Sequence, residues 1–226
     1  MQPYFLPYIG YWQLLAAVDR FVLYDNIQYT KKGWINRNRF LRNGTDAFFT
    51  VPLKGASDFL DVRDRAVASD FDPARLLNQL AASYRGAPQF ASVFPVVEQA
   101  IRGTPSNLFD YIDRSIRVVA EYLAITTPVV IASSVAIDHG LRAEHKVLAL
   151  CQALGARTYI NPIGGRELYA KPSFLERGVT LEFIQARPMI YRQLDHPFVA
   201  NLSIVDVMMF NSRDAVIAML SEYDLV

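Results

Sequence analysis

Apolar and polar positions give the first part of the chain a mixed helical and extended pattern. A short helical pattern over residues 9–18 precedes Arg20–Tyr24 (RFVLY), whose length and aromatic content predict a buried strand ending at Asp25. Asn43-Gly44 is a strong hairpin signal, and it joins two segments of strand character. The pattern therefore predicts an antiparallel β-hairpin over residues 36–53.

Residues 72–123 change to a helical period. Asp72-Pro73 supplies a helix cap followed by proline at the first helical position, and an apolar stripe follows it. A second helix fits residues 88–102, and a third opens at Thr104-Pro105-Ser106. We expect these helices to form an insertion, or cap, on one face of a sheet.

The last hundred residues alternate between strand and helix. Alternation of this kind is typical of a parallel sheet with right-handed crossovers. The sequence thus predicts one α/β domain over residues 1–226, with a mainly parallel sheet and flanking helices. The predicted strands cover residues 128–134, 156–161 and 179–185, and the predicted helices cover residues 142–155, 202–210 and 214–223.

Composition and charge exclude several classes of protein. The chain has 226 residues, 52% of them hydrophobic, which suffices for one substantial core. Lys and Arg number 23 against 22 Asp and Glu, a balance that does not predict a nucleic-acid partner. The longest apolar runs are too short to span a membrane, no secretory signal is present, and the single Cys151 fits a reducing compartment. We expect a cytoplasmic protein, and self-association into a homo-oligomer remains open.

The chain opens with MQPYFLPYIGYW, which carries two prolines and three tyrosines within its first twelve residues. Parallel sheets bind their ligands at the carboxyl ends of the strands, where each strand is followed by the loop to the next helix. We interpret Met1-Gln2 as the end of a strand, or as a segment that follows one. The rest of the opening segment is interpreted as a loop that contacts a ligand. Gln2, Tyr4 and Tyr8 offer neutral donors and acceptors that suit a sugar or an amide. The alternative is that the tyrosines are half-buried packing.

A second group of candidates follows the first predicted strand. Asp25 stands where an α/β enzyme places a catalytic or orienting carboxylate. Lys31, Lys32 and Arg37 can hold a diphosphate or a carboxylate, although a solvated turn is the alternative for the lysine pair. Gln28 and Asn36 complete this group of residues.

A third group lies in the N-P-x-G-G segment that ends a predicted strand. Asn161, Gly164 and Gly165 can bring backbone N–H groups close to an anion or an oxyanion. The segment lacks the spacing of a dinucleotide-binding loop or a P-loop, and the alternative is a tight turn that needs positive φ.

Other chemistry is not predicted. The histidines at 139 and 145 are six residues apart and do not share a helix face, so we predict no metal site. Cys151 lies in an apolar stripe and is expected to be an inert core thiol. The chain has no G-x-S-x-G nucleophile elbow, and no cofactor is predicted.

Four segments in order along the chain resemble the WbqC-like protein family. The resemblance is densest at residues 1–54 and 155–211. It implies a role in the biosynthesis of O-antigen, related surface polysaccharides or natural products, and transfer of a glycyl, other aminoacyl or acyl group to an amino sugar. The segments are MQPYFLPYIGYWQLL, VDRFVLYDNIQYTKKGWINRNRFL, YINPIGGRELY and LSIVDVMMFNS.

The leading hypothesis is therefore an acyl or aminoacyl transferase whose acceptor is the amine of a nucleotide-linked or lipid-linked sugar. Such chemistry needs a base, here Asp25, and donors for the tetrahedral oxyanion, here Asn36, Asn161 and the amides of Gly164–Gly165. Two alternatives stay open. One is a nucleotidylyl-transferase-like enzyme, which the P-x-x-x-P-x-x-G opening favours; the other is a non-enzymatic sugar-binding protein of polysaccharide assembly.

Overall fold

Helices and short strands alternate along the chain, of which the computed structural model describes residues 1–55, 59–103 and 106–226. The first part contains α1 (Ile9–Ala17), β1 (Phe21–Leu23), β2 (Arg37–Arg42) and β3 (Thr45–Thr50). The middle contains α2 (Pro73–Tyr84), α3 (Phe90–Ile101) and α4 (Leu108–Tyr122). The last part contains β4 (Val129–Ile131), α5 (Ala143–Ala153), β5 (Thr158–Pro162), α6 (Lys171–Leu175), β6 (Thr180–Ala186), α7 (Ile204–Phe210), α8 (Arg213–Met219) and β7 (Tyr223–Leu225).

The strands form three small sheets instead of the expected mainly parallel one. β1 pairs in parallel with β4, and β5 pairs in parallel with β6, which also carries β7 as an antiparallel edge. The predicted strand over residues 128–134 is shorter than expected because Ala132–Ser134 forms a 3₁₀ turn, whose Ser133 N–H donates to Asp25 Oδ1 at 2.9 Å. The fold is thus mixed α/β, and among the described residues the parallel strand pairs are β1–β4 and β5–β6.

The predicted hairpin is confirmed. β2 and β3 pair antiparallel from Arg37 opposite Thr50 to Arg42 opposite Thr45. Asn43 has φ 51° and Gly44 has φ 77°, so both turn residues lie in the left-handed region that a two-residue type I′ turn requires.

The helical segment forms as predicted, but it packs on the hairpin and the opening loop. The Asp72 side chain accepts from the N–H of Ala74 at 2.9 Å and caps α2. The third helix begins at Leu108 after Asn107 as its cap, while residues 104 and 105 of the expected start lie outside the described residues. Tyr84 at the end of α2 receives the N–H of Leu41 in the hairpin at 2.9 Å.

The opening loop runs through the main hydrophobic core. Phe5 and Leu6 are fully buried, and the Phe5 ring stacks on Tyr111 of α4 at 5.0 Å between ring centroids. A second, smaller core lies between α5, α6, β5 and β6 and is built around Phe174 and Phe183. Cys151 belongs to this second core, where burial raises the pKa of its thiol to about 11, so the expected inert thiol agrees with its surroundings.

Asp206 of α7 is a fully buried carboxylate that ties several elements together. Its Oδ1 accepts from the Tyr84 hydroxyl at 3.0 Å, and its Oδ2 accepts from the Tyr191 hydroxyl at 2.7 Å and Gln193 Nε2 at 2.6 Å. Burial outweighs these three donors and raises the pKa of Asp206 to about 6.

The raised pKa predicts how stability changes with pH. Because the folded pKa of Asp206 lies above its unfolded value, its contribution to stability is fully present below about pH 4 and is lost as the pH rises through about 6. The free energy of unfolding in urea should therefore be measured for the wild type and Asp206→Asn. Between pH 4 and pH 7 the wild type should lose about 3 kcal/mol of stability relative to the variant.

An exposed carboxylate provides the control of opposite sign. Ion pairing with Arg187 lowers the pKa of Asp224, so its contribution is present at neutral pH and is lost as the pH falls. The wild type should therefore gain stability relative to Asp224→Asn as the pH rises, which is the opposite direction. A difference between the wild type and Asp206→Asn that does not vary with pH would contradict the assignment of a raised pKa to Asp206.

Candidate active site at the carboxyl ends of the strands

Three neighbouring chain segments end at the same edge of the β1–β4 sheet. The Met1 amino group donates to the Val22 carbonyl at 2.6 Å, and the Met1 carbonyl accepts from the N–H of Tyr24 at 2.9 Å. These two bonds form the pattern of a parallel bridge opposite Leu23. Gln2 therefore leaves the sheet beside Tyr24 and Asp25, while β4 lies on the other side of β1.

Asp25 lies buried where β1 and β4 end. It is 3% exposed, and its Oδ1 accepts the N–H of Ser133 at 2.9 Å. Its Oδ2 lies 3.9 Å from Nη1 of Arg63, whose side chain is 46% exposed. One carboxylate oxygen is thus fixed by the backbone, and the other faces a cation that reaches the surface.

A buried lysine stands next to this carboxylate. Lys146 of α5 is 6% exposed, and its Nζ donates to the backbone carbonyl of Asn26 at 3.0 Å and to Asn26 Oδ1 at 3.2 Å. The same ammonium lies 5.5 Å from the centre of the Tyr24 ring. Burial lowers the pKa of Lys146, and the carboxylates of Asp61 and Asp25 oppose that shift. Among the described residues Lys146 forms no ion pair within 4.0 Å, so its immediate partners are neutral.

The lysine also fixes the orientation of a histidine. An ammonium can only donate, so the atom of Asn26 that faces Lys146 is Oδ1, and its Nδ2 must point the other way. That Nδ2 lies 2.9 Å from Nδ1 of His139, which must therefore be the acceptor. The proton of the neutral ring is then on Nε2, which donates to the Val135 carbonyl at 3.0 Å. Asp25, Asn26, His139 and Lys146 are called the carboxyl-edge cluster below.

Asn161 lies near the end of β5, and its side-chain N–H donor makes only a weak hydrogen bond. Its Oδ1 accepts from the Tyr159 hydroxyl at 3.2 Å, whereas its Nδ2 has only a 3.4 Å contact with the Pro162 carbonyl. Gly165 must lack a side chain because a Cβ there would collide with Nδ2 of Asn161. Gly164 borders open space, so a ligand can approach its backbone. The glycines of the N-P-x-G-G segment therefore leave room around Asn161, and neither of them has positive φ.

A cavity of about 540 Å³ separates the β1 side of the molecule from the β5 side. Its lining includes Tyr24, Tyr159 and Asn161 towards the carboxyl ends of β1 and β5, and also Asp19, Arg20, Arg157 and Thr158 towards their amino ends. Apolar side chains of α1 and α5, among them Leu14 and Leu150, also line it. The cavity therefore runs along both strands, and of the predicted site residues it is lined by Asn161 but not by Gln2, Asp25 or Arg37.

The predicted residues of the opening loop divide between two places. Gln2 Oε1 accepts from the Tyr4 hydroxyl at 3.0 Å, and the Gln2 carbonyl accepts from the Tyr11 hydroxyl at 3.2 Å, so Gln2 is held by tyrosines of the opening loop and α1. Tyr8 instead precedes α1 and lines a separate groove with Tyr191 and Phe198.

The predicted residues of the hairpin are engaged within the hairpin itself. Asn36 is buried, its Oδ1 accepts from Tyr29 at 2.8 Å, and its Nδ2 donates to the Val51 carbonyl at 2.8 Å. Arg37 donates to the carbonyls of Gly33 and Lys32, and its guanidinium lies 4.9 Å from the centre of the Phe48 ring. Arg37 is thus oriented by its own loop, with no contact to Asp25 or Asn161. Gln28, Lys31 and Lys32 are exposed nearby.

Sequence analysis missed Lys146 and Asn26, and it considered His139 only as a metal ligand. The available signal was a lysine on the buried side of α5, next to Val147 and one turn before Leu150, where a solvated lysine is not expected. Within the described ranges, no group of three or more His, Cys, Asp or Glu side chains is arranged to hold a metal ion. None of the described helices is both long enough and apolar enough to cross a membrane.

Comparison with known proteins identifies a family but no described activity. The pattern of the WbqC-like protein family matches residues 2–218. An uncharacterized protein of Mycobacterium tuberculosis, Rv1507c, is 26% identical over 211 residues, which cover 92% of this chain and 90% of that protein. No solved structure matches the chain. The match extends over the opening loop, the hairpin, the carboxyl-edge cluster and α7, and the chain belongs to the WbqC-like protein family.

Proposed function

We propose that the protein transfers an acyl or aminoacyl group, such as glycyl, to the amine of an amino sugar in surface-polysaccharide or natural-product biosynthesis. The proposed reaction is cytoplasmic, and the sugar is carried by a nucleotide or a lipid. The observation that carries the proposal is the carboxyl-edge cluster, where Asp25 is buried at the ends of two parallel strands and the neighbouring Asn26 accepts from the buried Lys146. The family resemblance supplies the class of substrate.

Asp25 is proposed as the general base. Attack of the sugar amine on the acyl donor forms a C–N bond and a tetrahedral intermediate, and the nitrogen loses a proton to the base. The intermediate then collapses as the bond between the acyl carbon and the donor's carrier breaks, and the carrier leaves with the bonding electrons. The Ser133 N–H fixes Oδ1 of Asp25, which leaves Oδ2 as the atom that accepts the proton. Arg63 lies 3.9 Å from Oδ2 and is half-exposed, so an entering substrate can take its place beside that oxygen.

Asn161 is proposed as a donor to the oxyanion of the tetrahedral intermediate. A useful donor must be fixed in place without being consumed by a strong internal hydrogen bond. Asn161 meets this condition because Tyr159 holds its Oδ1 while its Nδ2 makes only a 3.4 Å contact. The backbone amides of Gly164 and Gly165 are proposed to assist. Asn36, whose amide is bonded at both ends, is proposed to act indirectly by holding the hairpin together.

The remaining predicted residues are proposed to bind the substrates. Gln2 and Tyr4, which are bonded to each other where the opening loop leaves β1, offer neutral polar groups to a sugar. Gln28, Lys31 and Lys32 are exposed on the neighbouring loop, where the lysines can attract a diphosphate. Arg37 orients that loop, and Tyr8 is proposed to contact substrate only through the separate groove that it lines.

A thermal-shift screen tests the substrate class. A ligand that binds the native state raises the melting temperature according to its concentration and affinity. Stabilisation by a nucleotide-linked amino sugar, followed by formation of an N-acyl product in mass spectrometry, is expected. Stabilisation by nucleoside triphosphates with magnesium, and not by nucleotide-sugars, would instead favour the nucleotidylyl-transferase alternative. Binding of free glycans without turnover would favour the sugar-binding alternative.

Asp25→Asn should abolish transfer without unfolding the protein. The asparagine Oδ1 can still accept the N–H of Ser133, so the ends of β1 and β4 should keep their structure. Loss of a general base typically lowers a rate by about 10²–10⁴-fold. The measurement is the rate of N-acyl product formation together with the melting temperature. Asp195→Asn, at an exposed carboxylate that pairs with Arg192, is the matched control and should keep full activity. Full activity of Asp25→Asn would remove Asp25 from the mechanism.

The contacts of the carboxyl-edge cluster lead to a separate prediction about which nitrogen of the His139 ring carries the proton. In the wild type, nitrogen chemical shifts should report the tautomer with the proton on Nε2, because Nδ1 accepts from Asn26. In Asn26→Asp, a carboxylate oxygen faces His139, so the nitrogen on that side should carry a proton. His145, which is exposed, should not change. A wild-type ring with its proton on Nδ1 would show that the orientation set by Lys146 is wrong.

A further inference from the structure

The cavity between β1 and β5 is bordered by strand edges that other strands leave open. β5 is the outer strand of its sheet, since β6 and β7 follow it in order on one side. β1 pairs with β4 on one side and carries the bridge with Met1 on the other. Both strands contribute residues to the lining of this one cavity, which is called the strand slot below.

Backbone hydrogen-bonding groups of both strands point into the strand slot. The Val22 carbonyl binds the opening loop, and the Val22 N–H points to the same side of β1. On β5, the Arg157 carbonyl accepts from the N–H of Thr180 in β6 at 2.7 Å. Because peptide groups alternate along a strand, those of Thr158 and Ile160 point away from β6 and towards the slot that they line. An extended molecule with amide groups can therefore pair with both edges.

β1 and β5 run in the same direction along the slot. Nη1 of Arg20, just before β1, lies 3.5 Å from the carbonyl of Leu154, which precedes β5. Beyond the other ends of the strands, burial and, to a smaller extent, the neighbouring Tyr169 raise the pKa of Tyr24. One end of the slot is thus formed by the amino ends of both strands, and the other is formed by their carboxyl ends, where Asn161 lies.

The two ends of the slot differ in charge. Arg20 and Arg157 are exposed at the amino ends, and neither forms an ion pair within 4.0 Å in the part of the chain that the structure describes. Asp19 also lines this end and offsets one of the two positive charges. At the carboxyl ends, Asn161 carries its weakly bonded Nδ2. The slot thus combines a positively charged mouth, apolar walls and a hydrogen-bond donor at its far end.

We propose that the strand slot binds a phosphopantetheine arm, so that the acyl donor of the transfer proposed above is a thioester. The phosphate binds Arg20 and Arg157, since the guanidinium fork matches phosphate oxygens. The amides of the arm pair with the open edges of β1 and β5, and its methyl and methylene groups pack on Leu14 and Leu150. The thioester then lies at the end of the slot that carries Asn161.

The length of the arm matches the slot. From phosphorus to sulfur the arm has about thirteen bonds, which corresponds to about four residues of extended backbone. Residues 20–24 cover a similar distance along β1, about 13 Å at about 3.3 Å per residue. A phosphate at Arg20 therefore places the sulfur level with Tyr24, which directly precedes Asp25.

A thioester also completes the chemistry of the proposed transfer. The sugar amine attacks the thioester carbonyl, a C–N bond forms, and the base takes a proton from the nitrogen. The C–S bond then breaks, and the sulfur leaves with the bonding electrons and receives the proton that the nitrogen lost. Sulfur leaves readily because the pKa of a thiol is only about 8.5.

Two other occupants fit the slot less well. A lipid acyl chain has no group that can pair with the backbone N–H and C=O groups of the strand edges. A peptide strand can pair with those edges, but it brings no anion to the arginines at the mouth. Phosphopantetheine does both, and it is found in coenzyme A and on acyl carrier proteins.

Binding of phosphopantetheine to the full chain tests the proposal. Phosphopantetheine should raise the melting temperature, whereas adenosine bisphosphate, the nucleotide half of coenzyme A, should not. Amide hydrogen exchange at Val22 and Ile160 should slow on binding, while amides of the β2–β3 hairpin should not change. Coenzyme A and a holo-acyl carrier protein are then compared to identify the carrier, and binding of either supports the proposal.

A variant of the mouth separates the phosphate from the rest of the arm. Arg157→Gln should bind phosphopantetheine about tenfold more weakly, because a charged hydrogen bond is lost. The same variant should bind pantetheine, which has no phosphate, as the wild type does. Arg177→Gln, at another exposed arginine that contacts the Ser173 carbonyl, is the matched control and should leave both affinities unchanged.

The proposal fails if phosphopantetheine, coenzyme A and a holo-acyl carrier protein all leave the melting temperature unchanged. It also fails if Arg157→Gln weakens pantetheine as much as phosphopantetheine. Slower exchange at Val22 and Ile160 with acetyl-Thr-Val-Thr-Val-amide, but not with phosphopantetheine, would assign the slot to a peptide strand instead. Asp25→Asn should lose formation of the N-acyl product and still bind phosphopantetheine, so binding of the arm and the proposed transfer can fail separately.

Discussion

The opening loop is an irregular segment buried inside the core, and the rest of the structure is arranged around its backbone groups. A buried loop must find hydrogen-bond partners for its carbonyls because water cannot reach them. Asn38 Nδ2 and the Ser203 hydroxyl both donate to the Leu6 carbonyl, at 3.0 Å and 2.7 Å. The Pro7 carbonyl accepts from Trp12 Nε1 at 3.1 Å and from the N–H of Ile204 at 2.9 Å. These partners lie on α1, the hairpin and the start of α7.

This arrangement explains why the hairpin and α7 lie where they do. Asn38 is buried on β2, where a polar side chain would be costly without the carbonyls of the loop as acceptors. Ser203 caps α7 and reaches Leu6 with the same hydroxyl, so helix and loop are fixed by one side chain. The loop in turn leads back to Met1, whose parallel bridge with β1 sets Gln2 beside Asp25. The geometry of the site therefore depends on contacts made in the core.

Local signals allowed parts of the fold to be predicted from the sequence. The Asn43-Gly44 turn, the Asp72-Pro73 cap and the buried strand before Asp25 each depend on residues within a few positions of one another, and each is present in the structure. The division of the strands into separate sheets depends on contacts between distant segments and was not predictable in this way. The opening loop is a mixed case, because its prolines and tyrosines indicated a structured loop but not that Phe5 and Leu6 would be fully buried.

The same limit applies to the candidate site. Asp25 and Asn161 could be proposed because each lies at the end of a predicted strand, and a cavity lined by Tyr24 and Asn161 runs along both strands. Lys146 and Asn26 could not be paired from the sequence, since 120 positions separate them. Arg37 was expected to face substrate, but its guanidinium is bound by loop carbonyls and aromatic rings that no sequence spacing specifies.

The surroundings of the buried carboxylates Asp206 and Asp25 indicate a structural role for the first and a chemical role for the second. Asp206 receives three neutral donors from two parts of the chain, α2 and residues 191–193, and they hold these parts to α7. Asp25 receives one backbone N–H, and its second oxygen faces the half-exposed guanidinium of Arg63 at 3.9 Å. A carboxylate whose two oxygens are both bonded to buried side chains of the core presents neither oxygen to a substrate. A carboxylate with one oxygen fixed and the other facing an exposed cation can do so, and this difference makes Asp25 the better candidate for a working group.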